Sequence, residues 1–324
     1  MIEIKNLTKK FGSNTVLDNI SFSVKRGEVL GFLGPNGAGK TTTMKIIASF
    51  WKPTAGVVEV DGLDVAENSL AVRKKIGYLP ETVPLYDDMR VYEYLKFVAE
   101  IRGLDKEGIR RAATNGAHAN VLNMKERIKE VIKICGLSKV ARQPIEELSK
   151  GYRQRVGLAQ AIMHNPDILI LDEPTTGLDP NQIVEIRNLI KELGKEKTVI
   201  LSTHILGEVS ATCGRVVIIN NGRIVGEGSP DELIAKSSGK EIIYVKIKGP
   251  KEAVLTKLRE MENAVKVEIK DKESDDVYGY EIEPKQGVDL REHLSMTVMN
   301  NGWSILEFSK KSVSLEDVFR ELTK

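Results

Sequence analysis

A chain of 324 residues is long enough for about two domains, and its 48 basic and 46 acidic side chains leave a formal net charge of +2. This balance excludes a general polyanion binder. No apolar run approaches the roughly 20 residues that span a bilayer, and the alternating first residues do not form a signal peptide. With two widely separated cysteines, Cys135 and Cys213, the sequence predicts a soluble protein of a reducing, cytosolic compartment.

The N-terminal half predicts an α/β core with a mostly parallel sheet. Residues 1–30 alternate apolar and polar positions, which predicts short antiparallel strands. Val29–Leu33 is a continuous apolar run typical of a buried parallel strand, and a glycine-rich turn and a helix from Lys40 to about Phe50 follow it. A helix is also predicted over residues 181–194, and further buried strands at Ile76–Leu79, Ile168–Leu171, Val199–Ser202 and Val216–Ile219.

Residues 90–163 differ from this core because they contain helical periodicity and no convincing strand. Helices are predicted over Val91–Ile101, Met124–Cys135 and Val156–Met163, which together indicate a helical subdomain inserted into the α/β core. Residues 115–120 within it predict a loop, in which His118 is an exposed residue rather than a ligand.

The pattern changes again after Gly228–Pro230, which predicts a domain of residues 1–230 followed by a C-terminal accessory domain of residues 231–324. The second part predicts an α+β, ferredoxin-like order with a final helix. Its strands are expected at Glu241–Lys248, Val265–Lys270, Tyr278–Glu283 and Trp303–Phe308, and its helices at Lys251–Met261, Asp289–Met299 and Leu315–Leu322.

Gly34–Thr41 matches the phosphate-loop pattern G-x-x-x-x-G-K-[ST] and lies between a buried strand and a helix. The glycines let backbone amides surround phosphate oxygens, and the helix N-terminus adds its positive dipole end. Lys40 would bridge the β- and γ-phosphates, and the Thr41 hydroxyl would bind Mg²⁺. An ordinary glycine-rich turn is the alternative, but the strand–helix context favours nucleotide binding by Gly34, Pro35, Asn36, Gly37, Ala38, Gly39, Lys40, Thr41 and Thr42.

Three acidic residues and one histidine complete the candidate site. Asp172 ends an apolar strand and would hold Mg²⁺, while the adjacent Glu173 would act as general base toward the attacking water. The alternative is a strand that meets solvent with an acidic pair. Asp179 is a candidate nucleotide contact that its tight turn explains equally well. His204, at the end of a predicted strand, would either bond the γ-phosphate or orient Glu173.

Ser149 and Gly151 form a second short Ser/Gly turn before a helix that runs to Met163. Ser149 is a natural helix N-cap, so a plain helix start explains the turn. A helix N-terminus is also an anion site, so phosphate binding stays open as an alternative.

These motifs together resemble the ATP-binding cassette (ABC) family of transport ATPases over residues 1 to about 230. Leu148–Arg155 is similar to the family's signature, with Lys150-Gly151 where the family has Gly-Gly, and Leu171–Asp179 and His204 follow in the family's order. A P-loop NTPase core with an N-terminal antiparallel β subdomain and an inserted helical subdomain is the fold that this resemblance implies.

The resemblance also implies that two cassettes pack head to tail and hold ATP and Mg²⁺ between the phosphate loop of one and the signature of the other. Ser149 and Gly151 would then contact the γ-phosphate across the dimer. Phe11 occupies the place of the family's adenine-stacking aromatic, with a core aromatic as the alternative. Glu81 stands where the family has glutamine and is expected as a metal ligand, while Lys150 adds a positive charge beside the γ-phosphate.

The sequence therefore predicts an ATPase subunit that dimerises on ATP, as a homodimer or heterodimer, and drives a separate integral membrane permease at the cytoplasmic face of the cell membrane. The variants at Glu81 and Lys150 and the ending Ser314–Phe319 look like cassettes of export or gliding-motility systems. A non-transport cassette acting on nucleic acid or the ribosome is the alternative, and the near-neutral charge argues against nucleic acid. A small-molecule kinase or GTPase is a third hypothesis, which leaves Ser149, Glu173 and His204 unexplained.

Overall fold

The computed structural model describes residues 1–104, 109–110, 121–236, 242–285, 288–311 and 315–323. The predicted loop at residues 115–120, with His118, lies outside them. The chain forms two compact units, Met1–Ser229 and Pro230–Leu322, and each contains its own hydrophobic core. No helix among the described residues is long and apolar enough to cross a membrane.

The first unit contains strands and helices that alternate along much of the chain. In chain order they are β1 (Ile2–Phe11), β2 (Asn14–Val24), β3 (Val29–Leu33), α1 (Lys40–Ile47), β4 (Ala55–Val60), β5 (Leu63–Asp64), α2 (Ser69–Lys75), β6 (Ile76–Leu79), α3 (Val91–Ile101), β7 (Ile109–Arg110), β8 (Val121–Leu122), α4 (Met124–Ile134), α5 (Lys150–Ile162), β9 (Ile168–Asp172), α6 (Pro180–Gly194), β10 (Thr198–Thr203), α7 (Leu206–Thr212), β11 (Arg215–Asn220) and β12 (Arg223–Gly228).

The N-terminal sheet is antiparallel, as predicted, with the strand order β2-β1-β4-β5. The expectation of short strands is wrong, because β1 has 10 residues and β2 has 11. Irregularities break the register between the two strands after Ile4, and Asn6 and Asn19 have φ angles of 52° and 54°. Such bulges interrupt the two-residue alternation, so one long strand reads as several short ones.

The central sheet has the order β12-β11-β3-β10-β9-β6, and all its pairs are parallel except β11 with β12. The predicted buried strands β3, β6, β9, β10 and β11 all belong to it. Because β3, β10 and β9 are parallel neighbours, their carboxyl ends meet at one edge of the sheet. The predicted α/β class is thereby confirmed.

Helices α3, α4 and α5 pack on one another between β6 and β9 in the chain. Asn123 caps α4 with a reciprocal capping box, since Asn123 Oδ1 accepts from the Glu126 amide and Glu126 Oε2 accepts from the Asn123 amide. The expectation of no strand in residues 90–163 is wrong, because β7 and β8 form a two-residue antiparallel ladder. A ladder this short carries no periodicity in the sequence.

The second unit contains α8 (Pro230–Lys236), β13 (Ile242–Lys248), α9 (Lys251–Arg259), β14 (Ala264–Lys272), β15 (Val277–Pro284), α10 (Arg291–Asn300), β16 (Ser304–Lys311) and α11 (Leu315–Leu322). Its antiparallel sheet has the order β14-β15-β13-β16, so β15 lies between the two strands that α9 connects. This split βαβ arrangement confirms the ferredoxin-like prediction. Helix α9 buries Val254 and Leu258, and helix α10 buries Leu294 and Val298, in a core shared with the sheet.

Candidate functional site

A pocket of about 370 Å³ lies at the sheet edge where β3, β9 and β10 end. Thr203 lies opposite Leu33, and Ser202 opposite Asp172, so the three strands end at nearly the same level. The segments that follow them therefore converge there. The pocket is lined by Val16, Asn36, Gly37, Gly39, Lys40, Thr41, Thr42, Glu81, Glu173, Thr176 and His204.

The loop between β3 and α1 follows a path that only glycine allows at several positions. Gly37 and Gly39 have φ angles of 80° and 108°, in the left-handed region that L side chains rarely adopt. A Cβ at Gly34 would lie 2.4 Å from the Ile219 carbonyl oxygen, because the loop passes directly against β11. The loop leads into α1, whose first amides have no intrahelical acceptor. The loop and helix together form an anion site.

Lys40 lies at the bottom of this pocket with only 6% of its surface exposed. Its Nζ donates to the carbonyl oxygens of Gly34 and Pro35 at 2.8 and 3.2 Å, and lies 3.2 Å from Glu173 Oε1. The loop carbonyls thus fix the ammonium group beside the buried carboxylate. A buried lysine held in this way is a localised positive charge for phosphate oxygens.

Glu173 directly follows β9 and has a φ angle of 50°, an unusual conformation for a side chain with a Cβ. Its amide donates to the carbonyl and hydroxyl oxygens of Ser202 at 3.0 and 3.2 Å. Its Oε2 accepts from the Thr176 hydroxyl at 3.1 Å and lies 2.8 Å from His204 Nδ1. The backbone turn and these contacts hold the carboxylate toward the pocket, where it can accept a proton.

Asp172 is fully buried beneath the pocket. Its Oδ1 accepts from the Ser202 hydroxyl at 2.5 Å, whereas no described donor meets Oδ2 in hydrogen-bond geometry. Burial raises the pKa of this carboxyl; the Ser202 and Thr41 hydroxyls oppose the rise, and the Glu81 and Glu173 carboxylates add to it.

These oxygens suit Mg²⁺, which prefers hard oxygen ligands and is commonly held by one or two carboxylates together with phosphates. Three oxygen groups are available as metal ligands: Asp172 Oδ2, the Thr41 hydroxyl and the exposed Glu81 carboxylate. Among the described residues no group of three His, Cys, Asp or Glu side chains could hold a metal alone. The site therefore fits a metal ion that is bound by these oxygens together with the oxygens of a phosphate ligand.

We expect Asp172→Asn to stabilise the nucleotide-free protein at neutral pH. The raised pKa means that folding disfavours the ionised form, so the cost is present above the folded pKa and is relieved as pH falls through it. The variant should melt roughly 2–4 °C higher for each kcal/mol gained, with an advantage that shrinks on acidification. Thermal melts across pH measure it.

Asp179→Asn serves as the control for that experiment, because asparagine is an equally good N-cap and the residue is exposed. Its melting temperature should match that of the unmodified protein. A lower melting temperature for Asp172→Asn at neutral pH would contradict the argument.

Eight of the predicted site residues do not line this pocket. Gly34, Pro35 and Ala38 belong to the phosphate loop itself, and Asp172 ends β9 beneath it, whereas the other four belong to other segments. Asp179 caps α6, with its Oδ1 accepting from the Gln182 amide at 2.9 Å. Ser149 caps α5 by accepting from the Tyr152 amide at 3.4 Å, and Gly151 packs so closely on Gln182 that a Cβ would lie 2.6 Å from its Cδ. Phe11 is 42% exposed and packs edge-to-face on Trp51, so the core alternative for Phe11 is wrong.

Val16 and Thr176 line the pocket, and Ser202 bonds Glu173 and Asp172, although none of the three was predicted as a site residue. Ser202 could have been found, because aligning the carboxyl ends of two adjacent parallel strands places it opposite Asp172. Thr176 could have been suspected from its place three residues after Glu173. Val16 comes from β2 and carries no feature in the sequence that marks it.

Comparisons with known proteins show the family to which the chain belongs. Residues 17–176 match the family described as "ABC transporter". Over its whole length the chain is 31% identical to 98% of the linearmycin resistance ATP-binding protein LnrL of Bacillus subtilis. Over 99% of its length it is 32% identical to 97% of the bacitracin transport ATP-binding protein BcrA of Bacillus licheniformis. The chain belongs to the family of ABC transporter ATP-binding proteins.

It is accordingly an ATP-binding ATPase subunit of an ABC transporter. Among solved structures, one described as the ATP-binding subunit of an ABC transporter is 29% identical, with a TM-score of 0.62 over 73% of this chain and 93% of that one. A dimeric ATP-binding cassette in a post-hydrolysis state with ADP and Pi is also 29% identical, with a TM-score of 0.60 over 71% and 98%. These matches do not favour the nucleic-acid or ribosome alternative.

Proposed function

We propose that two cassettes containing this chain bind ATP between the phosphate loop of one and the signature helix α5 of the other, and thereby drive a separate membrane permease for export. The observation that supports the shared site is the composition of the pocket. It contains the phosphate loop, Glu173 and His204, but neither Ser149 nor Gly151. A second cassette would supply them.

The N-terminus of α5 supports the same proposal. Its first turn contains no acidic residue. It carries Lys150, whose positive charge has the same sign as the N-terminal end of the helix dipole, so the two repel each other. The Lys150 ammonium lies so close to Gly177 that a Cβ there would be 2.1 Å from Nζ. An anion brought by a partner would be attracted to both the helix end and this lysine.

In the proposed reaction, water attacks the γ-phosphate of ATP. Side chains and backbone amides of this chain accept the proton of the water and stabilise the negative charge on the phosphate oxygens. Glu173 accepts the water's proton, and the loop amides and Lys40 bind the phosphate oxygens. His204 holds Glu173 Oε2 in place. Thr41, Asp172 and Glu81 would hold Mg²⁺, which neutralises charge on the phosphates when bound.

The export assignment rests on the relatives named for linearmycin resistance and bacitracin transport. We infer a hydrophobic permease partner, a position at the cytoplasmic face of the membrane, and an accessory role in regulation or dimer stability for residues 231–324. Affinity purification from detergent-solubilised membranes should recover a stoichiometric polytopic membrane protein. Recovery of the chain alone would contradict the permease assignment.

Substitution of Ser149 tests the shared site. Aspartate and asparagine both preserve the N-cap, but aspartate adds a negative charge where a partner's phosphate would lie. We expect Ser149→Asp to weaken dimerisation with a non-hydrolysable ATP analogue by about tenfold or more, with Ser149→Asn close to the unmodified protein. Sedimentation velocity measures the dimer, and fluorescence titration measures binding to the monomer.

Binding to the Ser149→Asp monomer should be unchanged, since Ser149 does not line the chain's own pocket. A parallel loss of monomer binding would instead place Ser149 in its own chain's site. Unchanged dimerisation would overturn the shared-site proposal.

A further inference from the structure

A buried carboxylate lies outside the nucleotide pocket, behind the two segments that carry Glu173 and His204. Glu208, in the first turn of α7, is only 3% exposed. Its Oε1 accepts from the Thr175 hydroxyl and its Oε2 from the Thr203 hydroxyl at 2.8 Å. A small cavity of about 10 Å³ beside it leaves no room for a ligand of any size.

The two threonines lie next to the two residues of the proposed reaction. Thr175 is two residues after Glu173, and Thr203 immediately precedes His204. Thr203 Oγ1 also accepts from the Ile205 amide at 3.0 Å, which fixes the backbone on the far side of His204. One carboxylate therefore connects both segments whose side chains meet at 2.8 Å in the pocket.

The energetics of burial make these contacts obligatory. Among the described residues Glu208 forms no ion pair, and its two carboxyl oxygens accept hydrogen bonds from hydroxyl groups. A buried carboxylate that loses a hydrogen bond is costly, because water cannot replace the lost donor. The Glu208 carboxylate therefore holds the segments at Thr175 and Thr203 at a fixed separation, because breaking either hydrogen bond would cost free energy.

We propose that Glu208 is a positioning residue for ATP hydrolysis, which acts through Thr175 and Thr203 to set the Glu173–His204 contact. This inference rests on the roles proposed above for Glu173 and His204. It concerns a residue that does not reach the pocket, and its loss should therefore affect turnover more than nucleotide binding.

The experiment compares Thr203→Val, which removes one donor, with Thr203→Ser, which keeps it. Thr212→Val is the matched control, because Thr212 lines the same small cavity and its buried hydroxyl has no partner among the described residues. We expect Thr203→Val to lower kcat about 10–100-fold, since misplacement by about an ångström has effects of that size. KM for ATP should change less than about threefold, with Thr203→Ser and Thr212→Val near the unmodified protein.

The complementary pair Thr175→Val and Thr175→Ser should give the same division between kcat and KM. If valine at position 203 prevents folding, Glu208→Gln keeps one acceptor oxygen and serves in its place, with the same expected loss of kcat. Thermal melts of every variant identify those that are merely unstable.

Two results would overturn the inference. One is an unchanged kcat in both Thr203→Val and Thr175→Val. The other is a loss of kcat in Thr212→Val, Thr203→Ser or Thr175→Ser as large as that in the first two variants. Glu173→Gln is measured in the same series: if it keeps full turnover, the proposed function fails. If it is inactive while Thr203→Val and Thr175→Val keep their kcat, only the role of Glu208 fails.

Discussion

Glu173→Gln is expected to bind ATP more tightly and to hydrolyse it about 10²–10⁴-fold more slowly. Glutamine has the same shape but cannot accept the proton of the attacking water. Its amide oxygen can still accept from the Thr176 hydroxyl, so the local structure should persist. Steady-state phosphate release measures turnover, and size-exclusion chromatography with ATP should reveal an accumulated ATP-bound dimer.

The tighter binding follows from the ion pair in the nucleotide-free site. Lys40 Nζ lies 3.2 Å from Glu173 Oε1, so ATP must compete with a carboxylate for this ammonium. Neutral glutamine removes that competition. Glu192→Gln is the matched control, because Glu192 is exposed on α6 and pairs only with Lys195 at the surface among its described contacts. Full turnover by Glu173→Gln, or no ATP-bound dimer, would contradict the assignment.

The elements of the fold could be predicted where their apolar patterns are long. Val29–Leu33 and the buried strands of the central sheet are continuous apolar runs, which is the pattern of strands covered on both faces. The order of those strands could not be predicted, because β3, β10 and β9 become neighbours through long-range pairing. The start of α5 at Lys150, by contrast, was predictable, because Ser149 is recognisable in the sequence as a helix N-cap.

The motifs of the candidate site could be predicted from the sequence, but its three-dimensional arrangement could be predicted only in part. Glycine spacing at the phosphate loop reflects backbone angles that only glycine adopts easily, so the pattern itself carries the physics. The support behind Glu173 and His204 is different, because Ser202, Thr203 and Glu208 are ordinary polar residues in the sequence. Their importance depends on burial and on distances across strands, which appear only in the folded structure.

Lys40→Met is expected to weaken ATP binding about tenfold or more and to lower turnover by at least about 10²-fold. Methionine fills the space between the Gly34 and Pro35 carbonyls without the charge that binds phosphate oxygens. Fluorescence titration measures the binding, and phosphate release measures turnover. Lys45→Met on the same helix is the control, because Lys45 lies over the Trp51 ring and does not line the pocket.

The same substitution should also destabilise the nucleotide-free protein, because it leaves the buried Glu173 carboxylate without its cation. Breaking a buried pair by removing one partner costs about 3–5 kcal/mol, whereas removing both partners costs much less. Lys40→Met in the Glu173→Gln background should therefore lose little further stability in urea unfolding. Additive losses in the double variant would mean that the ion pair is not the reason, and undiminished ATP binding by Lys40→Met would remove Lys40 from the phosphate site.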